Sequence, residues 1–363
     1  MKLPNRFGFG EERGLARKGR PTTIRDVARA AGLSATTVSR ALNGHGDVAT
    51  GTRELVERVA RVLDYHPNSL ARSLQTSRAD AIGLIIPHVL HRTFDAFWLD
   101  FIAGVEATCA PRGIALMIAA TDHEVTHEFR RLARGQRVDG LLLCDVRTND
   151  ARVAYLASQG LPFVCFGRTI DQNGYPYIDV DGAAGVSAAI EYLIGLGHTR
   201  IAYVGVDPGF GFSYHRFRGY HQALTRAGVP FDPDLVREGL TERNAVDELK
   251  RLLSMPEPPT AIFAAADFLG AAAVKACQTL KIQIPDDLSI CVFDDSPLIA
   301  HIEPPLSVVS QSNRRLGEES ARLLLDRIDN PTGPLVQRLM VPALVTRAST
   351  TRPRPTDRDL AAV

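Results

Sequence analysis

The 363-residue chain has no long apolar run: no stretch approaches the ~18–20 residues needed to span a bilayer. The apolar segment of a signal peptide is also missing, so a cytoplasmic protein with no membrane partner is expected. The five cysteines (Cys109, Cys144, Cys165, Cys277, Cys291) are scattered and form no C-x-x-C. That argues against a disulfide framework and a zinc site. Most lie in runs such as LLLC and PFVCF, where a free thiol serves as a small buried hydrophobe. Two catalytic signatures are absent too: there is no G-x-x-x-x-G-K-[ST] and no G-x-S-x-G, while HEVTH at 123–127 does fit H-E-x-x-H. His123 and His127 have i, i+4 spacing, but no third metal ligand accompanies them. No catalytic residue, metal or cofactor is expected, and the chain does not read as an enzyme.

Net charge is also scarce, at +1, but this hides an asymmetry. Residues 1–78 carry 14 Lys and Arg against 7 Asp and Glu; the remainder carries 28 against 34. A basic block leading an acidic body suits a polyanion partner at one end only. Residues 1–21 are rich in Gly, Arg and Lys without apolar period and read as a disordered basic arm.

Residues 22–64 follow a helical pattern with short breaks. Ile24, Val27, Ala28 and Ala31 share one helical face. Gly32 suits the left-handed residue that ends a helix, and Leu33 can pack back on it. Ser34 is a good N-cap for a second helix, in which Val38, Ala41 and Leu42 face inward. Ala35, Thr36, Ser39 and Arg40 face outward. Two short helices joined by a tight glycine turn form a helix-turn-helix, whose second helix presents its first residues to base edges. A third amphipathic helix, about 51–63, would close the core with Leu55, Val56, Val59 and Val62 or Leu63.

From Ala81 the pattern changes to apolar runs at 81–87, 114–120, 138–143, 162–166, 200–205, 260–265, 288–293 and 306–310. Such runs mark strands buried on both faces, as in parallel sheets. Helical patterns separate them at roughly 97–110, 125–135, 150–159, 182–195, 214–227, 243–254, 268–281 and 313–327. The alternation predicts an α/β body, and its size predicts two doubly wound parallel-sheet lobes behind an all-α N-terminal domain. Ligands of such folds bind at the carboxyl ends of the strands, here the cleft between the lobes.

The runs IRDVARAAGLSATTVSRALNG and TRELVERVARVLDYHPNSLARSL together resemble the headpiece of the LacI/GalR family of bacterial transcription regulators. The body is similar to that family's periplasmic-binding-protein-like sensor, and the likeness runs from about Thr22 to Ser349. The resemblance implies that Ala35, Thr36 and Arg40 read bases, Arg40 on a guanine edge. It implies that Thr23, Arg25, Ser34, Thr37, Ser39 and Asn43 hold phosphates, which positions without specifying. One departure is Ala49-Thr50-Gly51, where the family usually has Ser-Pro-Glu; Thr50 is expected to take over the cap. Asn68–Leu74 is too short to be a stable helix alone in water. In the family it becomes helical on operator DNA, which implies minor-groove roles for Asn68, Ala71 and a wedging Leu74.

In the body, FSYHRFRGYHQAL resembles the family stretch that places Arg216 on ligand oxygens, which a planar fork of donors suits. FAAADFLGAAAVKA places Asp267 in the family's ligand region, with Ala266 where asparagine is usual. Gly182 likewise replaces an asparagine after Asp181. LSICVFDDSPLIAHIEPPLSVVSQ offers Asp294 as a hydroxyl acceptor, Asp295 as a structural neighbour and Gln311 near a lobe crossing. Phe97 and Trp98 align with an aromatic pair that can stack on a pyranose, and Arg168 follows a strand in CFGR.

The expected organisation is therefore a basic arm (1–21), a helix-turn-helix domain (22–66), a hinge helix and linker (67–80), a two-lobed effector-binding and dimerisation domain (81–349) and a flexible tail (350–363). The expected function is a homodimeric repressor of a carbohydrate catabolic or uptake operon, released from double-stranded operator DNA by a sugar or glycoside. The alternatives are a non-sugar effector such as a nucleobase, or a ligand acting as co-repressor.

Overall fold

The computed structural model describes residues 22–65, 78–87, 96–121, 123–135, 137–172 and 174–354. The basic arm, most of the hinge and linker, and residues 355–363 lie outside that set. The chain divides into two compact units, Met1–Arg78 and Ala79–Val363.

The first unit contains α1 (Ile24–Ala31), α2 (Ala35–Leu42) and α3 (Thr50–Val62). At the start of α1 the Thr23 N–H and hydroxyl both donate to the Asp26 carboxylate, at 2.9 and 2.6 Å. Gly32 ends the helix at φ 66°, and the Leu33 N–H turns back onto the Ala28 carbonyl at 3.0 Å. The Ser34 hydroxyl accepts the Thr37 N–H at 3.0 Å, which caps α2. Val27, Ala28, Val38, Ala41, Val56 and Ala60 bury the centre of the three-helix packing. Thr50 does not cap α3: it is the first helical residue, and Ala49 holds the cap position with no side-chain acceptor. The helix starts all the same, because Leu55, Val56 and Val59 supply an apolar face, and packing outweighs a cap worth about 1 kcal/mol.

The second unit has two lobes. The first begins with β1 (Ala81–Pro87), α4 (Ala96–Cys109), β2 (Ala115–Thr121), α5 (His127–Arg134), β3 (Gly140–Leu143), α6 (Ala151–Gln159), β4 (Phe163–Phe166) and β5 (Tyr177–Val180). The chain then crosses to the second lobe with α7 (Gly182–Gly195), β6 (Ile201–Val204), α8 (Gly211–Ala227), β7 (Val236–Arg237), α9 (Ala245–Leu253) and β8 (Ala261–Ala264). That lobe continues with α10 (Asp267–Leu280), β9 (Ser289–Phe293), α11 (Pro297–Ala300) and β10 (Ser307–Ser310). A return crossing leads to α12 (Asn313–Asp329) and β11 (Gln337–Met340), and a third to β12 (Ala343–Val345).

The first sheet has the order β11-β5-β4-β3-β1-β2 and is parallel throughout. The second, β12-β10-β9-β8-β6-β7, is parallel except at β12. Each order reverses beside its first strand, the switch point where doubly wound sheets open a crevice at their carboxyl ends. Helix α12 packs along α4 at glycine contacts: a Cβ on Gly104 would lie 2.0 Å from the Arg314 carbonyl oxygen, and one on Gly317 2.1 Å from that of Phe101.

The expected strands from β1 to β4, and β6, β8, β9 and β10, are present. β5, β7, β11 and β12 were not among them. β7 has only two residues, and β11 and β12 are exposed edge strands without an apolar run. The body also outlasts its expected end at 349. Within the supposed flexible tail, Thr350 Oγ1 lies 2.9 Å from both Tyr192 Oη and Ser307 Oγ, and the Thr351 N–H donates to Ser289 Oγ at 3.0 Å. All five cysteines are buried and free. Among the described residues no helix is long and apolar enough to cross a membrane.

Candidate functional site

The exposed surface of α2 carries Thr36 and Arg40, with the half-buried Thr37 and Ser39 between them. Ala35 is half-buried against the helical core rather than fully outward. Thr23 and Ser34 hold the N-cap positions of α1 and α2, Arg25 lies exposed in the first turn of α1, and Asn43 ends α2 with its amide 3.4 Å from Ser39 Oγ. The helix-turn-helix therefore places all nine expected headpiece residues on α1, α2 or their caps. Asn68, Ala71 and Leu74 lie outside the described residues.

In the second unit a cavity of about 820 Å³ opens at the carboxyl ends of both sheets. Phe97, Trp98, Arg216, Asp267, Asp294 and Gln311 all line it. Phe97 stacks on Phe166 with ring centroids 5.6 Å apart and meets Trp98 edge-on at 5.1 Å, giving the first lobe an aromatic wall. In the second lobe the Arg216 guanidinium lies 3.6 Å from the Phe293 ring centre and 4.9 Å from that of Phe212. Its Nη1 donates to the Ala265 carbonyl at 2.6 Å, and its Nη2 faces Asp294 at 3.9 Å. Asp294 adopts φ 83° at the end of β9 and accepts from the Gln311 amide, which pins a lobe crossing to the site. The neighbouring Asp295 instead takes a bidentate pair with Arg347 at 2.9 and 2.7 Å, the structural role expected of it.

Arg168 does not line the cavity. It is 2% exposed behind the wall, donates from Nε to His215 Nε2 at 3.0 Å and lies 3.3 Å from Asp179. Burial pushes the Asp179 carboxyl up to about 6, against the pull of Arg168. Burial, and then the Arg168 charge, hold His215 down at about 4, so at neutral pH its Nε2 accepts and its proton sits on Nδ1. Asp145, Asp179 and Asp207 line the cavity without having been singled out, and so does His123, which the sequence offered only as a metal ligand. Their signal is position, since Asp179 is the penultimate residue of β5 and the other three lie two or three residues past the carboxyl end of a strand. His123 precedes α5, so it does not share that helix with His127.

The lobes also meet directly. Arg147 pairs with Phe210 in an antiparallel bridge, flanked by Thr148 N–H to the Gly209 carbonyl at 2.8 Å and Gly211 N–H to that of Val146 at 2.9 Å. Arg147 Nη1 reaches Asp207 at 2.6 Å, and its guanidinium lies 4.8 Å from the Phe210 ring centre. Behind this loop the buried Arg152 forms a bidentate pair with Asp150 at 3.0 and 2.7 Å, and Asp150 accepts the Arg147 N–H at 3.0 Å. The contact loop is thus braced by hydrogen bonds on the first lobe's side.

Residues 23–68 match the family described as bacterial regulatory proteins, lacI family, and residues 190–350 a periplasmic binding protein-like domain. The chain is 34% identical over 340 residues to the helix-turn-helix-type transcriptional regulator CelR of Thermobifida fusca, covering 92% of this chain and 100% of that one. The chain belongs to the lacI family. It is a DNA-binding transcriptional regulator and not an enzyme. Among solved structures, a CelR–cellobiose complex superposes with a TM-score of 0.69 at 32% identity, covering 90% of this chain and 99% of that one. A lac repressor dimer bound to operator and the anti-inducer ONPF superposes with a TM-score of 0.80 at 25% identity, covering 92% and 100%. Against the family pattern, Ala266 caps α10 without a side-chain acceptor. Gly182 has an account in packing: a Cβ there would lie 3.1 Å from Arg216 Cγ, so the arginine leans into space that a larger residue would contest.

Proposed function

We propose that this lacI-family regulator is a homodimeric repressor of a carbohydrate catabolic or uptake operon, released from its operator by a sugar or glycoside bound between its lobes. The observation that carries the reading is the cavity of about 820 Å³ in which Arg216, Asp294 and Gln311 face the aromatic wall of Phe97 and Trp98. A forked donor, a carboxylate acceptor and an amide match hydroxyl groups, and aromatic faces match the apolar side of a pyranose. Capture of cellobiose by CelR supports the same ligand class. In the headpiece, Ala35, Thr36 and Arg40 would read bases while Thr23, Arg25, Ser34, Thr37, Ser39 and Asn43 hold phosphates. Asn68–Leu74 would fold into the minor groove on operator DNA, and the protein would act in the cytoplasm.

A second copy suits the edge of the first sheet. β2 is an edge strand with Met117 and Ile118 37% and 49% exposed, and Leu99 of the neighbouring α4 is 62% exposed. Apolar side chains along an open edge need a cover.

Ligand can weaken DNA binding only through unequal affinity for the two states. The test is a thermal-shift screen of mono- and disaccharides and nucleobases, followed by competition of each hit against DNA selected by the protein. A sugar that raises the melting temperature and releases DNA is expected. A nucleobase as sole hit would overturn the sugar reading, and a hit that tightens DNA binding would make the ligand a co-repressor.

A further inference from the structure

The loop after α2 is tied back onto the base-reading face. Gly44 turns the chain at φ 72°, which lets the His45 N–H reach the carbonyl of Arg40 itself at 3.1 Å. From α3, Arg53 Nη2 donates to the His45 carbonyl at 2.8 Å, and the Val48 N–H reaches the same oxygen at 3.2 Å. Val48 packs against the three-helix core. Held at both sides, Asp47 sets its carboxylate against the Arg40 guanidinium in an ion pair, with the two side chains 53% and 49% exposed.

We infer that Asp47 is a positioning residue for DNA recognition: it orients the Arg40 guanidinium and so sharpens the choice of one base pair. The inference rests on Arg40 being a base reader. A free arginine side chain samples many rotamers, and holding it in one costs entropy on every binding event. The carboxylate meets the guanidinium at Nη2, and a guanidinium carries five N–H donors, so donors remain for a guanine edge. The same carboxylate carries a negative charge onto a surface that meets phosphates, which weakens binding to every sequence. Asp47 therefore exchanges general affinity for discrimination at the position that Arg40 reads. A residue that only stabilised the fold would alter all sites alike.

The full-length protein selects binding sites from a pool of randomised duplexes, and affinities are then measured for single base-pair variants of the selected site and for unselected DNA. For Asp47→Ala we expect unselected DNA to bind several-fold tighter, with a steeper salt dependence, and discrimination at one base pair per half-site to fall by about three- to tenfold. Asp47→Glu should restore part of that discrimination. Arg40→Ala should lose discrimination at the same base pair. If Arg40→Ala keeps its full profile, the base-reading role of Arg40 fails. If Arg40→Ala loses the base pair but Asp47→Ala leaves every ratio unchanged, or shifts all by one factor, the positioning role fails. Equal melting temperatures for the variants and the parent exclude a folding defect.

Discussion

Replacing Arg147 by alanine removes the side-chain part of the contact between the lobes and leaves its backbone bridge. Two interactions disappear: the 2.6 Å pair with Asp207 and the cation–π contact with Phe210 at 4.8 Å. The pair is 28% and 50% exposed, so solvent screens it and it contributes well under about 1 kcal/mol. The ring contact adds about 0.5 kcal/mol at such a site. Together they favour the closed arrangement by about 1 kcal/mol, or roughly fivefold in the closed-to-open ratio. An effector that binds the closed form should lose affinity by up to that factor. Trp98 is the single tryptophan and lines the cavity, so its emission reports occupancy directly. Titrating parent, Arg147→Ala, Asp207→Ala and the double variant with the best sugar from the screen should show a loss of up to about fivefold in Arg147→Ala, which removes both interactions, and of about twofold in Asp207→Ala, which removes only the pair. Because the two residues share one pair, the double variant should be scarcely worse than Arg147→Ala. Binding by Arg147→Ala within about 1.5-fold of the parent, where fivefold is predicted, would refute a role for this contact in closure. Independent, additive losses would refute the pairing.

Gly104→Ala should destabilise the second unit by at least about 3 kcal/mol, because its Cβ would meet the Arg314 carbonyl at 2.0 Å and push α4 off α12. Gly195→Ala, with nothing within 4 Å, is the control and should be neutral or slightly stabilising by differential scanning fluorimetry. Ser34→Ala removes the acceptor of the Thr37 N–H and should cost about 1 kcal/mol, speeding amide exchange across the headpiece helices about fivefold. His215 is held at about 4, below its free value of 6.5, so the stability it contributes is present above pH 6.5 and lost as pH falls towards 4. Asp179, raised from 3.8 to about 6, acts oppositely: the stability it contributes is present below pH 3.8 and lost as pH rises through 6. Asp179 is common to parent and variant. His215→Gln should therefore lose less melting temperature than the parent between pH 7.5 and pH 5; an equal or larger loss would contradict the buried neutral histidine.

Much of this architecture was legible because it depends on neighbours in sequence. The Thr23 and Ser34 caps, the Gly32 turn and the apolar face of α3 define the helix-turn-helix locally. Runs such as AIGLIIP and SICVF mark strands buried on both sides, which is why β1 and β9 were expected close to where they lie. β5 escaped notice because YIDV carries a buried aspartate, and the omission hid Asp179 from the site. Arg168 was placed in the site by its strand-end position alone, and its partner, 47 residues away on α8, draws it behind the wall.

The sequence alone determined the family, the two units and the alternation of strands and helices, because caps, periodicity and buried apolar runs act over a few residues. It also supplied Asp294, Gln311, Phe97 and Trp98, which stand at strand ends or a helix start, and Arg216 in the second turn of α8. Only the tertiary structure decided which of these share a cavity, which arginine serves the wall behind it, and where the lobes touch. Those outcomes depend on contacts between residues far apart in the chain: Arg147 meets Asp207 60 positions away, and β11 completes the first sheet only after the chain has built the second lobe. Side-chain chemistry names the candidates for such pairs, but packing selects among them.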